Sequence, residues 1–231
     1  DLMIYDVENH CSFTDSLVYG DAYMETFPTW TPDGKSLYFT RAQGYQKGMA
    51  LDSIRYDLCR ISFDASTEKM GAPEMVLQAS AEQKSISFPC VSPNGKYLMF
   101  TLSDYGNFSI WHPESDLYIM DLTTGTTKNL ENVNSSDVDS YHTWSSSGHW
   151  FVFSSKRMDG LWARPYIAAF NPETGETGKA FLLPQKDPMF YDNYTYTYNR
   201  PELIKTAVKN GKEFEKIIQQ AAIPSTPKKN H

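Results

Sequence analysis

A corner built on glycine recurs three times in this chain, each time between an aromatic-led segment and a nearly unbroken apolar run. The copies read FPTWTPDGKSLYFT from Phe27 to Thr40, FPCVSPNGKYLMFT from Phe88 to Thr101 and YHTWSSSGHWFVFS from Tyr141 to Ser154. Trp30, Val91 and Trp144 fall at equivalent places, and Gly34, Gly95 and Gly148 repeat in step. Repetition of this kind decides the architecture before any local propensity does. Asp-Gly and Asn-Gly make tight turns, because glycine tolerates positive φ and Asp or Asn accepts it better than other side chains. The runs Leu37–Phe39, Tyr97–Phe100 and Trp150–Phe153 are apolar at successive positions, as in strands covered on both faces.

A second motif follows in every unit. Asp57–Ile61, Asp116–Asp121 and Arg164–Phe170 read as a third strand, each leading into a turn-rich stretch at Asp64–Glu68, Thr123–Gly125 and Asn171–Gly175. A short fourth strand is expected around Val76–Leu77, Lys128–Leu130 and Phe181–Leu183. Units of about 50 to 60 residues with four antiparallel strands predict an all-β fold, a β-propeller whose blades bury their faces on one another. The first six residues, DLMIYD, match DLYIMD at Asp116–Asp121, so the chain enters at the third strand of a preceding blade. Three full blades plus half of a preceding one do not close a ring of the usual four to eight or so. The rest is therefore expected from an N-terminal part of the same protein or from another chain. Residues 1–185 are read as propeller, and residues 186–231 as a Tyr-rich strap, an amphipathic helix and a frayed tail.

The block from Phe27 to Thr40 resembles the repeats of TolB-like periplasmic propellers, and is also similar to the propeller repeats of prolyl-oligopeptidase-type enzymes. The resemblance covers residues 1 to about 185 and speaks to fold more than to activity, because sites are grafted onto such folds separately. It implies a periplasmic, envelope-associated or secreted protein with an interaction role. The third copy departs from the pattern, with His142 in place of Pro28 and Pro89, and Ser146-Ser147-Gly148 in place of Pro-Asp-Gly.

Composition excludes several other roles. The formal charge is −7 over 231 residues, without the concentrated basic surface that contact with nucleic acid requires. No apolar run reaches the roughly 18 residues needed to span a bilayer. Cys11, Cys59 and Cys90 contain no Cys-x-x-Cys pair, and Cys59 and Cys90 read as buried packing residues. Neither a Gly-x-Ser-x-Gly elbow nor a phosphate-cradling glycine loop is present.

Alternate connections of a four-stranded meander lie on opposite faces, so the tight corners share one face. The long connections 41–55, 102–115 and 155–163 share the other, and long loops on a rigid scaffold are where binding residues gather. Arg41, Tyr105, Trp111, His112, Arg157, Trp162 and Tyr141 are the candidate contacts for a protein or glycan partner; Trp111 and Trp162 can equally serve to seal blade edges. Asp139 and His142, entering the innermost strand of the last blade, are the weak candidates for acid–base work or for a divalent cation. A polar channel lining is the plainer account of both. No second His completes a zinc set, and no other cofactor is implied.

Beyond residue 185 the blade period breaks. Tyr194, Tyr196 and Tyr198 alternate as on one face of an extended strand, which suits a strap across the propeller or, more sharply, stacking on carbohydrate. Pro201 opens a predicted helix whose apolar stripe runs through Leu203, Ile204, Ala207, Val208, Phe214, Ile217, Ile218 and Ala221, with Gly211 kinking or dividing it.

Overall fold

The structure, a computed structural model, describes residues 1–207, 211–222 and 224–227. The stripe position Val208 and the last residues of the frayed tail, 228–231, lie outside them. The chain opens with β1 (Ile4–Asp6) and β2 (Cys11–Phe13), an antiparallel pair in the register Ile4↔Phe13. The first full blade follows as β3 (Tyr23–Trp30), β4 (Ser36–Gln43), β5 (Asp57–Asp64), β6 (Lys69–Met70) and β7 (Glu74–Leu77). The second is β8 (Ser85–Val91), β9 (Tyr97–Ser103), β10 (Asp116–Asp121) and β11 (Thr127–Asn129). The third is β12 (Asp139–Trp144), β13 (Trp150–Ser155), β14 (Arg164–Ala169) and β15 (Phe181–Leu182). The second and third blades are four-stranded antiparallel meanders in chain order, and in the first both β6 and β7 pair with β5, so the all-β propeller with a preceding half-blade stands as read from the repeat.

Unbroken apolar runs have their physical reason in blade-on-blade packing. Tyr97 and Met99 of β9 pack with Phe151, Phe153 and Tyr166 of the third blade. Leu98 and Phe100, on the opposite face of the same strand, pack with Tyr38 and Leu58 of the first. Leu2 and Val18 of the half-blade region cover Leu37, Phe39, Cys59 and Ile61. Fully burying each such side chain contributes about 1.5–3 kcal/mol.

The three corners are the same turn. Gly34, Gly95 and Gly148 hold φ of 69°, 71° and 71°, and each donates its N–H back three residues, to Thr31, Ser92 and Ser145. Asp33 and Asn94 accept the amides of Lys35 and Lys96 at 3.1 Å. In the divergent copy Ser147 Oγ accepts the amide of His149 at 3.4 Å, so a hydroxyl takes over the role of the carboxylate and the amide.

Two features differ from expectation. Among the described residues the tail's helix is α1 (Gly211–Ile218), and residues 201–207 are not helical, where the apolar stripe was read from Pro201 to Ala221. Residues 199–201 are occupied otherwise: the carbonyls of Asn199 and Pro201 accept bonds from Ser154 and Thr143 on the third blade. Residues 186–200 contain turns and no strand, so the alternating tyrosines do not share an extended face. They cluster instead, Tyr194 lying 5.0 Å from Phe190 and 5.3 Å from Tyr198 between ring centroids. After α1, β16 (Thr226–Pro227) joins β2 in parallel.

Candidate functional site

The innermost strands of all three blades break register at one place, between Thr26 and Thr29, Ser87 and Cys90, and Ser140 and Thr143. Inside each bulge the leading aromatic of the repeat adopts positive φ: Phe27 at 52°, Phe88 at 52° and Tyr141 at 56°. A left-handed conformation costs a side-chain-bearing residue about 1–2 kcal/mol. Stacking offsets it, because Phe27 and Phe88 lie 4.1 Å apart and Phe88 and Tyr141 4.7 Å apart, the latter edge to face. Bulges re-aim side chains, and here they turn one aromatic per blade into a shared apolar cluster with Ile110, Val138 and Ala163. Sequence reasoning found these aromatics as repeat markers and did not find the bulge.

Behind this tier runs a wholly buried hydroxyl network. Ser87 Oγ donates to Ser109 Oγ at 3.3 Å, and Ser140 Oγ lies 2.6 Å from Ser109 Oγ and 3.1 Å from Thr101 Oγ1. It joins the second blade to the third and leaves little free hydroxyl capacity for a ligand.

Asp139 and His142 are both withdrawn from solvent, so neither lines an open channel as the repeat alignment suggested. Asp139 accepts from the Ser135 amide at 2.7 Å and hydroxyl at 2.9 Å, and pairs with Arg157 Nη2 at 2.5 Å. Burial raises its carboxyl above the ordinary value in spite of that guanidinium. His142 Nε2 lies 3.1 Å from the Met99 carbonyl, while Nδ1 has no hydrogen-bond partner. Burial pushes the imidazole down to about 3, so it is neutral throughout the physiological range. The two side chains share no hydrogen-bond partner. Among the described residues no group of three or more His, Cys, Asp or Glu is placed to hold a metal ion. The three cysteines are unpaired, and burial raises the Cys59 thiol to about 11.

The candidate contact residues divide into two sets. Arg157 turns inward: it bonds Asp139 and the Val133 carbonyl, and its guanidinium lies 4.5 Å over the Tyr166 ring. Tyr141 is buried in the aromatic tier, and Trp162 is half-buried. Arg41 stacks 3.5 Å over Tyr23 and pairs with the buried Glu25. It borders a cleft of ≈ 520 Å³ that is also lined by Arg55, Gln83 and Met75. His112 is held by Glu114 at 3.1 Å and lies edge-on to the half-exposed Tyr105.

Trp111 is the outward member. It closes a short 3-10 turn at Ser109–Trp111, is 77% exposed, and receives the Lys156 ammonium 3.8 Å over its ring. Lys156 is itself buried, and that burial lowers its pKa. Phe108 and Leu161 stand exposed on the same loop-bearing side.

Three comparisons with known proteins bear on this geometry. No protein-family model matches the chain, and no curated protein matches it significantly. Solved structures do match. An oligogalacturonate lyase in complex with manganese aligns over 78% of this chain and 47% of its own, at 12% identity and a TM-score of 0.51. A prolyl endopeptidase aligns over 79% of this chain and 25% of its own, at 17% identity and a TM-score of 0.47. The β-propeller domain of the Trilobed protease from Pyrococcus furiosus aligns over 71% and 44%, at 14% identity and a TM-score of 0.40. The chain spans less than half the length of each of these three. At such identities the likeness to the lyase is one of fold, and it agrees with the blades seen here. The class defined is a β-propeller of four-stranded blades, carried here as three blades and a half. No helix among the described residues is long and apolar enough to cross a membrane.

Proposed function

We propose that this chain is a non-catalytic binding propeller of an exported, envelope-associated protein, holding a protein or glycan on its loop-rich face. The observation that carries the reading is Trp111: a large ring left 77% exposed on a rigid rim, with a buried ammonium against it. Exposed aromatics backed by a cation serve as anchors at protein interfaces, and an indole face equally suits a sugar ring. TolB-like character and a periplasmic location belong to the same proposal and rest on the repeat.

The test is capture by the intact chain and by Trp111→Ala, on a glycan array and from an envelope extract. A hot-spot contribution of about 2 kcal/mol predicts a loss of roughly 30-fold in affinity. Equal capture by both proteins removes Trp111 as the anchor and the reading with it. Because the ring is exposed, the variant keeps its fold, which circular dichroism checks.

A second reading, an accessory domain of a hydrolase or polysaccharide lyase, draws on the fold shared with the lyase. In that case the chemistry comes from outside these residues, since both Asp139 oxygens already have partners and His142 is enclosed. Calorimetric titration with manganese or calcium that gives no heat with the intact chain speaks against a cation site at Asp139.

A further inference from the structure

Arg55 and Asp57 stand two residues apart where the chain enters β5, opposite in charge, and among the described residues neither belongs to an ion pair. The chain alternates there as a strand does. Ile54 and Tyr56 pack with Ala42 in a buried cluster, while Arg55 and Asp57 both line the ≈ 520 Å³ cleft beside Arg41. Its walls all come from residues 23–83, the first blade and the turn that leaves it.

Neutral groups alone hold the two charges. Arg55 Nη1 donates to the carbonyls of Asp52 at 3.3 Å and Ser53 at 3.2 Å. Its Nε is shut off from water without an acceptor, and no hydrogen bond among the described residues engages Nη2. Asp57 accepts one bond on each oxygen, from the Ser80 amide at 2.8 Å and the Ser80 hydroxyl at 2.9 Å. A carboxylate oxygen has room for a second. Arg41 lies across from Asp57 in the β4–β5 register, but it pairs with Glu25 at 3.2 Å and donates through Nη2 to the Leu17 carbonyl at 3.2 Å. Asp104, which borders the neighbouring cleft with Arg55, is taken by Lys84 at 2.6 Å, and Asp52 and Glu82 on that side form no ion pair among the described residues. A partly buried charge that meets only neutral dipoles gains from an added counter-charge.

We propose that this cleft binds a small zwitterion of the amino-acid class, with its carboxylate on Arg55, its ammonium on Asp57 and an apolar side chain against Met49 and Met75. Two residues of extended chain set the anchors roughly 7 Å apart along the backbone. Ammonium and carboxylate borne on one carbon, each with a hydrogen bond of about 2.8 Å on its outer side, span such a gap. A simple anion would also meet Asp57, and a simple cation Arg55, so the pair selects the molecule that carries both charges. The volume suits a small ligand, and thioether walls adapt to varied side chains. Trp111 does not line this cleft, so the site is separate from the partner face proposed above.

The experiment is calorimetric titration of the full chain at pH 7 with L-leucine, with L-leucinamide, which lacks the carboxylate, and with N-acetyl-L-leucine, which lacks the ammonium. One L-leucine is expected per chain, and either loss of charge weakens binding at least about tenfold. Arg55→Gln lowers the affinity for L-leucine to that for L-leucinamide and leaves the latter unchanged. Asp57→Asn does the same with respect to N-acetyl-L-leucine, and its amide oxygen can still accept from the Ser80 amide. Circular dichroism checks the fold of both, and the three-compound comparison on the parent stands without them. Trp111→Ala binds L-leucine as the parent does, so failure of the partner face and failure of this site are told apart. No saturable heat with L-leucine, equal affinity for the three compounds, or folded variants that lose all three alike would overturn the proposal.

Discussion

His142 stands where the first two copies carry Pro28 and Pro89, and the interior site it occupies makes it the clearest acid sensor of stability in the chain. Its folded pKa is about 3 against an ordinary value of 6.5, so between these limits the unfolded chain binds the extra proton. Stability therefore holds above pH 6.5 and falls as pH drops toward 3, by about 1.4 kcal/mol per pH unit from this group. Asp139, with its carboxyl raised by burial, works in the opposite sense, and a comparison of variants isolates the histidine. Urea unfolding at pH 4.5 and pH 7 is expected to show a smaller acid loss for His142→Gln than for the parent; equal losses would refute the assignment. Arg157 yields a second prediction at this scale. Removing it leaves the Asp139 charge buried among neutral partners, the Ser135 and Ser155 groups, which costs about 3–5 kcal/mol. Denaturation midpoints for Arg157→Ala check the magnitude, and Asp139→Asn in the presence of Arg157 is expected to cost less.

At the scale of the element, the corner and the bulge divide the labour of each blade. An alanine at Gly95 places its Cβ 3.8 Å from Pro32 Cδ, an ordinary contact, so only the φ of 71° resists the change. Gly95→Ala is expected to cost about 1–2 kcal/mol, read as a lower thermal midpoint. The corner was legible because Asp-Gly and Asn-Gly state their conformation in their chemistry, and the strands were legible because inter-blade packing demands apolar residues at successive positions. Strand positions Asp57–Ile61 and Phe181–Leu183 were accordingly read close to β5 and β15. The bulge was not legible, since Phe and Tyr are poor left-handed residues and only a neighbouring ring, remote in sequence, makes Phe88 or Tyr141 tolerate it. For the same reason Tyr141 and Arg157 were assigned to the contact surface: their inward aim depends on the bulge and on the Asp139 carboxylate. Trp111 needed no such partner to be placed, because its loop position alone set it on the rim. The helix was over-extended because apolar spacing from Leu203 onward carries no sign that the carbonyls of Asn199 and Pro201 are held by the third blade.

For the molecule as a whole, the tail decides what kind of object the propeller is. It leaves the third blade, holds Ser154 and Thr143 through the carbonyls of Asn199 and Pro201, and reaches β2, where the Thr226 amide donates to the His10 carbonyl at 3.1 Å and Ser225 Oγ to Ser12 Oγ at 3.0 Å. Both ends of the arc are thus touched by one segment. Repeat architectures need a cap on each terminal unit because an uncovered blade face is apolar on a surface that water then meets. Truncation after residue 185 strips that cap from Thr143, Val152 and Ser154 and leaves Ser154 Oγ and Thr143 Oγ1 without their carbonyl partners. The shortened chain is expected to unfold at lower urea concentration and to self-associate through the bared third blade, measured by sedimentation against the full chain. Thr143→Val separates the two effects: it keeps the strap and removes one of its bonds, at a cost of about 1 kcal/mol and without association. A truncated chain that stays monomeric with an unchanged midpoint would mean that the strap adds nothing to the third blade, and that the arc ends there for some other reason.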